Sequence, residues 1–183
     1  MRRAAALAAL ALCLALPTLG DGGEPAADAV SERGATLLAP FKQRLMKALT
    51  EGLAEGAPAA IAACRVEAPA IAGGLSVDGV EMGRASHRLR NPANRAPGWV
   101  APVLDDYLGG GPVAPRAVEL EGGRAGYIEP IPTKGLCLAC HGSDLQPEVS
   151  ERIAELYPAD QATGFAEGEL RGVFWVSFPA GGD

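Results

Sequence analysis

The sequence is poor in aromatic residues, in basic charge and in cysteine. Aromatic side chains make up 5% of its 183 residues, so few large groups can fill a core and a buried prosthetic group would be a natural filler. Sixteen basic and 22 acidic side chains give a formal net charge of −6, which disfavours nucleic-acid binding because that needs a basic face. Four cysteines are too few for a scaffold held by many disulfides.

The N-terminus has the pattern of a secretory signal peptide. Arg2 and Arg3 precede an apolar run over residues 4–16, and small and turn-forming residues follow up to Gly20. Because a bilayer-spanning helix takes about 20 residues, a retained membrane anchor is the weaker interpretation. We expect residues 1–20 to be a signal peptide, the mature protein to be periplasmic, and the mature chain to have no membrane span.

The rest of the chain predicts a single α+β domain. Small residues, Gly and Pro predict a flexible lead-in over 21–27, before a folded domain over 28–179 and a tail over 180–183. Apolar residues three and four apart predict helices, and alternating ones predict strands. The predicted elements are helices over 28–55 and 59–71, a strand over 77–84, a helix from residue 100, a hairpin over 116–128, a helix from residue 147 and a strand over 172–178. Helices come first and strands mostly later, so we expect one antiparallel sheet.

Five consecutive residues carry the most specific chemical signal in the chain. Residues 137–141, Cys-Leu-Ala-Cys-His, have the C-x-x-C-H spacing of c-type haem attachment. Two thiols at this spacing can reach the vinyl groups on one edge of a porphyrin, and the adjacent imidazole then lies under the iron. We expect one haem c per chain, with thioethers to Cys137 and Cys140 and with His141 as the proximal iron ligand.

Three other interpretations of this motif are weaker. A thioredoxin-like redox pair follows the first strand of a βαβ unit, whereas this motif comes late in the chain. A zinc site would draw its ligands from Cys64, His87 and the motif, without the second C-x-x-C that makes such assignments strong. A plain disulfide would leave His141 without a role.

A second axial ligand would come from upstream, because no His, Met or Cys follows His141. The candidates are Met46, Cys64, Met82 and His87. Cys64 shares the apolar face of its predicted helix with Ile61 and precedes a bend expected at Pro69. An inert buried cysteine is the commoner case, His87 has the context of an exposed histidine, and the methionines are expected to be packing residues. The pattern alone leaves Cys64 and an empty sixth position open.

Several motifs occur together between residues 63 and 172. They are ACRVEAPAIA at 63–72, RAS at 84–86, RNPAN at 90–94, YIEPI at 127–131, CLACHG at 137–142, YPAD at 157–160 and GELRG at 168–172. This series resembles the PAS-like mono-haem c-type family, long catalogued as a domain of unknown function, whose structural type is a cyanobacterial haem protein found with photosystem II. The resemblance covers residues 28–179. It implies a PAS-like antiparallel sheet with flanking N-terminal helices.

The resemblance also implies mixed axial ligation, with His141 as the proximal ligand and Cys64 as the distal thiolate. Arg84, Arg90 and Asn91 match the family pattern as well, although an Asn-Pro turn and a solvated basic run would account for the same residues. A thiolate ligand favours ferric iron. Release of Cys64 on reduction would therefore open a site for a diatomic gas such as CO or NO.

Two classes of function follow from these expectations. Related domains are fused to signalling modules, which implies a haem-based redox or gas sensor whose output passes through a separate protein partner. A single acidic domain favours instead a soluble electron carrier that docks with a basic redox partner. We expect no enzymatic activity, because the sequence offers no recognisable pairing of a nucleophile with a base.

Overall fold

Five α-helices and four β-strands form within residues 23–181, the part of the chain that this computed structural model describes. In chain order they are α1 (Gly23–Ala54), α2 (Ala57–Leu75), β1 (Glu81–Ala85), α3 (Ala101–Leu108), β2 (Arg116–Leu120), β3 (Arg124–Pro132), α4 (Gly135–His141), α5 (Pro147–Leu156) and β4 (Leu170–Pro179), with a 3₁₀ turn over Pro92–Asn94. The strands form one antiparallel sheet in the order β1–β4–β3–β2. The α+β prediction is confirmed, and the predicted signal peptide, residues 1–20, lies outside the described residues.

The first helix follows its predicted apolar stripe. The buried residues of that stripe are Leu38, Phe41 and Leu45. α1 runs through Pro40 without interruption. It begins at Gly23, so part of the predicted flexible lead-in is helical. Pro25 is compatible with this start, because the first amide groups of a helix have no acceptor within the helix.

The second helix crosses the first at a glycine. A Cβ added to Gly52 would lie 2.6 Å from the Cα of Ala60, so the two backbones can approach this closely only without a side chain there. Gly56 connects the helices with φ 110°, a backbone conformation that favours glycine. α2 contains Pro69 and ends at Leu75, beyond its predicted end. Within residues 23–181, no helix combines the length and apolar character needed to cross a bilayer.

The sheet carries an apolar layer on each face, because successive residues of a strand point to opposite sides. The layer shared with α1 and α2 contains Leu38, Phe41, Leu45, Ala68, Ile71, Met82, Ala125, Tyr127, Val176 and Phe178. The opposite layer, shared with α3, contains Ala85, Val100, Leu104, Tyr107, Ile128 and Val173. β4 contributes to both layers and pairs with β1 on one side and β3 on the other. This central position accounts for the apolar run that predicted a buried strand.

The predicted hairpin is formed by β2 and β3. Its last pair is Leu120 with Arg124, so residues 121–123 make the connecting loop. Gly122 and Gly123 have φ of 68° and 67°, which glycine adopts without the strain that a side chain would add. The sequence prediction of a glycine turn between two strands is therefore confirmed.

A third apolar cluster connects α2 to the C-terminal half of the chain. It consists of Ile61 from α2 with Val149 and Ile153 from α5, and Cys140 and Tyr157 pack against it. The helix that contains Cys140, α4, was not among the predicted elements. This cluster holds α4 beside the turn of α2 that leads to Cys64.

Candidate cofactor site

The C-x-x-C-H motif lies on α4. The helix begins after Lys134, whose carbonyl accepts from the Cys137 amide at 2.8 Å, and it ends where the Gly142 amide donates to the Leu138 carbonyl at 2.9 Å. Residues three apart on a helix are neighbours on one side, so Cys137 and Cys140 lie one turn apart with their side chains close together. Both are partly buried free cysteines.

The imidazole of His141 is oriented by a backbone carbonyl. Its Nδ1 lies 2.6 Å from the carbonyl oxygen of Ala162. A carbonyl can only accept, so Nδ1 holds the proton and Nε2 keeps its lone pair. A histidine that donates from one nitrogen to a carbonyl while the other stays free is the usual arrangement of a metal ligand.

His141 is also held in its neutral form. Burial, and then the positive charges of Arg171 and Arg90, lower the pKa of His141 to about 2, against a smaller opposing effect of the Ala162 hydrogen bond. The neutral imidazole is the form that binds a metal. The site therefore presents a ligand nitrogen over the whole physiological pH range.

Cys64 lies on α2, partly buried and free. Burial raises the pKa of the Cys64 thiol, while the charges of Arg84 and Arg90 lower it. Cys64 in turn is one of the charges that raise the pKa of Cys140, together with Cys137, although burial is the largest cause there. The structure thus brings the three cysteines among its described residues and His141 into one region, with Cys64 contributed by a different helix.

Arg90 fixes the loop behind His141. Its Nε donates to Asp160 Oδ1 at 2.9 Å, and its Nη2 donates to the carbonyl of Cys140 at 2.6 Å and to that of Ala162 at 3.3 Å. The two side chains of this ion pair are 11% and 9% exposed. Asp160 also accepts from the Ala162 amide at 3.2 Å. One ion pair therefore connects the end of α4 to the carbonyl that orients the imidazole.

Arg171, at the start of β4, lies against the free side of the imidazole. Its Nη2 is 3.5 Å from His141 Nε2, and its Nη1 donates to Ser86 Oγ at 3.0 Å. Its buried Nε has no hydrogen-bond partner. Burial, followed by repulsion from Arg90 and Arg84, lowers the pKa of Arg171 to about 10. Positive charge is crowded at this point.

Arg84 is the third guanidinium of the site. It lies on β1, where its register partner on β4 is Phe174. Burial lowers the pKa of Arg84, and the nearby Cys64 and Tyr157 oppose that shift. The alternative explanation by a solvated basic run therefore does not hold for Arg84 and Arg90. Asn91 does form the predicted turn, since its Oδ1 accepts from the Ala93 amide at 3.0 Å.

The remaining candidate axial ligands are Met46, Met82 and His87. Met82 is buried in the layer under α1, as predicted, but Met46 is 48% exposed and so is not a packing residue. His87 is partly buried, which corrects the expectation of an exposed histidine. Its ring lies edge-on to Phe165 at 5.8 Å, and His141 contacts the same ring at 6.3 Å.

Sequence reasoning missed Phe165, the Ala162 carbonyl and the role of Arg171. The sequence offered one signal for Arg171, which is a charged residue immediately before the apolar run of β4. Such a position normally lies at the end of a buried strand. Among residues 23–181 there is no group of three or more His, Cys, Asp and Glu side chains arranged to hold a metal ion, which is the arrangement that the zinc interpretation needs.

Comparisons with known proteins give one family match and one similar structure. The model of the Tll0287-like family, described by the name Tll0287, matches residues 26–179. The crystal structure of the cyanobacterial heme-protein Tll0287 is similar to this fold with a TM-score of 0.62 and 22% identity, over 83% of this chain and 95% of that one. No curated protein matches the chain.

Proposed function

Because the chain belongs to the Tll0287-like family, we propose that it is a periplasmic protein with one covalent haem c and that it acts as a redox or gas sensor. A solved structure with a similar fold is that of a cyanobacterial heme-protein. The observation that carries the proposal is the hydrogen bond from His141 Nδ1 to the Ala162 carbonyl. It keeps the lone pair on Nε2, whose contact with Arg171 is long at 3.5 Å, on a histidine beside two free thiols.

The donor set around α4 fits a haem. Cys137 and Cys140 match the two attachment points, and His141 supplies a neutral nitrogen. The unpartnered Nε of Arg171 is a buried donor that lacks an acceptor within the described residues, and a porphyrin with carboxylate side chains would bring one. When bound, haem supplies a one-electron redox centre and, where an axial position is open, a binding site for small gases.

We assign the axial roles to two residues on different helices. His141 is the proximal ligand, and the Arg90–Asp160 ion pair positions it by fixing the Ala162 carbonyl. Cys64 is the distal ligand. Burial raises the pKa of Cys64, so the thiol stays deprotonated only where nearby positive charge offsets that effect. If Cys64 held the haem iron, its thiolate would depend on the positive charge of the iron and of Arg84 and Arg90, and the proposed sensing rests on that dependence.

Low-temperature EPR of the ferric protein tests the ligand assignment. We expect a low-spin signal typical of thiolate ligation in the wild type and its loss in Cys64→Ala. Val66→Ala is the matched control, because Val66 lies on the same helix but is 65% exposed. A signal that is unchanged in Cys64→Ala would overturn the assignment and make His87 the next ligand to test.

A soluble electron carrier is the second candidate function. The formal net charge of −6 favours it, because an acidic domain can steer a basic redox partner. A carrier would exchange electrons rapidly and reversibly with small mediators, with a rate that depends on salt. Slow reduction coupled to ligand binding would support the sensor instead. Neither of these two proposed roles is an enzymatic activity.

A further inference from the structure

The site contains more buried positive charge than the described residues neutralise. Among the described residues, the guanidiniums of Arg84, Arg90 and Arg171 lie around His141 and Cys64, and one carboxylate, that of Asp160, is within ion-pair distance of any of them. Asp160 belongs to Arg90, whose remaining donor bonds go to two backbone carbonyls. Arg90 is therefore already satisfied.

The hydrogen-bond donors of the Arg171 side chain are satisfied only in part. Its contacts in the described chain are a neutral hydroxyl, Ser86 Oγ, and the edge of His141, while its Nε has none. The contact between Arg171 Nη2 and His141 Nε2 is long at 3.5 Å, and a metal bound to the lone pair of Nε2 would displace the guanidinium. Its ring contact with Phe165, 5.0 Å from guanidinium carbon to ring centroid, restrains the side chain without supplying an anion.

Arg84 has neither a hydrogen bond nor an ion pair from its side chain within residues 23–181. It lies on β1 just before the segment that contacts the start of β4, where a Cβ on Gly172 would collide with the Ala85 carbonyl. Arg84 and Arg171 are close enough to repel each other. Arg84 and Arg171, without an anion among the described residues, therefore lie on neighbouring strands, because Ser86, two residues after Arg84, contacts Arg171.

We propose that Arg84 and Arg171 bind the two propionate carboxylates of the haem, and that Arg90 does not. The inference rests on the proposed function, because it needs the haem to be present. A guanidinium presents a planar fork of donors that matches a carboxylate, so one arginine can hold each propionate. Two negative charges would also remove the repulsion between the two arginines.

Resonance Raman spectroscopy of the haem-loaded protein tests this, because the propionate bending bands report hydrogen bonds to the carboxylates. We expect the bands to shift in Arg84→Gln and in Arg171→Gln, and to match the wild type in Arg88→Gln. Arg88 is the matched control, since it loses the same charge beside the same Phe165 ring, 4.2 Å away, and has Glu169 at 3.8 Å as its partner. The midpoint potential should fall more in the first two variants than in Arg88→Gln.

Arg171→Lys and Arg84→Lys cover the case in which a glutamine variant does not fold. Each keeps the charge but loses the planar fork, so the bands should still shift while the pyridine haemochrome spectrum stays normal. Wild-type bands in all four variants at positions 84 and 171 would overturn the inference and leave the proposed function intact, as would a band shift confined to Arg90→Gln. A wild-type protein without covalent haem would overturn both.

Discussion

Arg90 and Asp160 form an ion pair whose two side chains are almost fully enclosed, and the same Asp160 carboxylate holds the Ala162 amide. The pair joins the loop that follows β1 to the segment after α5, and its two residues are 70 positions apart in the sequence. It therefore supports both the fold and the orientation of His141.

Asp160→Asn should destabilise the protein strongly. Removal of one partner from a buried pair leaves an uncompensated charge, which costs about 3 to 5 kcal/mol in unfolding free energy. Urea unfolding followed by circular dichroism measures this. Glu51→Gln is the control, because the Lys47–Glu51 pair is 70% and 64% exposed and should contribute less than about 1 kcal/mol. Equal losses in the two variants would contradict a structural role for the buried pair.

Two glycine-to-alanine substitutions should change stability in opposite directions. Alanine at Gly34 of α1 would push its Cβ into the Tyr127 side chain, so we expect a loss of about 1 to 3 kcal/mol despite the better helix propensity. Gly73 of α2 has no atom near the corresponding position, and Gly73→Ala should stabilise by about 0.5 to 1 kcal/mol. Thermal and urea unfolding of both variants would check the close packing of α1 on the sheet.

Stability of the haem-free protein should decrease in acid because of His141. Its folded pKa of about 2 lies below the unfolded value of about 6.5, so the unfolded chain binds the proton first as the pH falls. The stabilisation is complete above pH 6.5 and is lost below it, by at most about 2 kcal/mol per group between pH 6.5 and pH 5.

Urea unfolding of the haem-free protein at pH 7 and pH 5 tests this, with His141→Gln expected to reduce the difference between the two values. His87→Gln should reduce it less, since the pKa of His87 is also lowered by burial, but its ring is less enclosed. An acid loss that is the same in His141→Gln as in the wild type would contradict the neutral, enclosed imidazole.

The reduced protein should bind CO. If Cys64 leaves the iron on reduction, CO association in the wild type is limited by that release, and Cys64→Ala should bind faster because nothing has to leave. Stopped-flow absorbance of the reduced protein measures both rates. A wild type that keeps a six-coordinate spectrum and excludes CO would show that Cys64 stays bound, and the gas-sensing proposal would then fail.

Much of the fold could be predicted because its signals are local. The stripe on α1, the glycine turn between β2 and β3 and the apolar run of β4 each specify one element without help from the rest of the chain. α4 could not be predicted in this way, since it is a seven-residue helix without an apolar period. The helical start at Gly23 was not predicted either. A composition rich in Gly and Pro suggests a loop, although the first turn of a helix accepts proline.

The site was predictable only in its covalent chemistry. The spacing of Cys137, Cys140 and His141 is visible in the sequence, whereas the Ala162 carbonyl is a backbone group and carries no side-chain signal. The charge environment depends on contacts between residues far apart in the chain, such as Arg90 with Asp160. Sequence context therefore made Arg90 look solvated when it is in fact enclosed.

The central place of β4 in the sheet bears on the order in which the chain can fold. β1 cannot join the other strands until residues 170–179 have been synthesised, so a nascent chain that lacks β4 has no complete sheet to fold around. The sheet can therefore close only after this strand has emerged from the ribosome. That order would suit the export that we propose, because it keeps the chain open for a translocation channel that accepts only unfolded substrates.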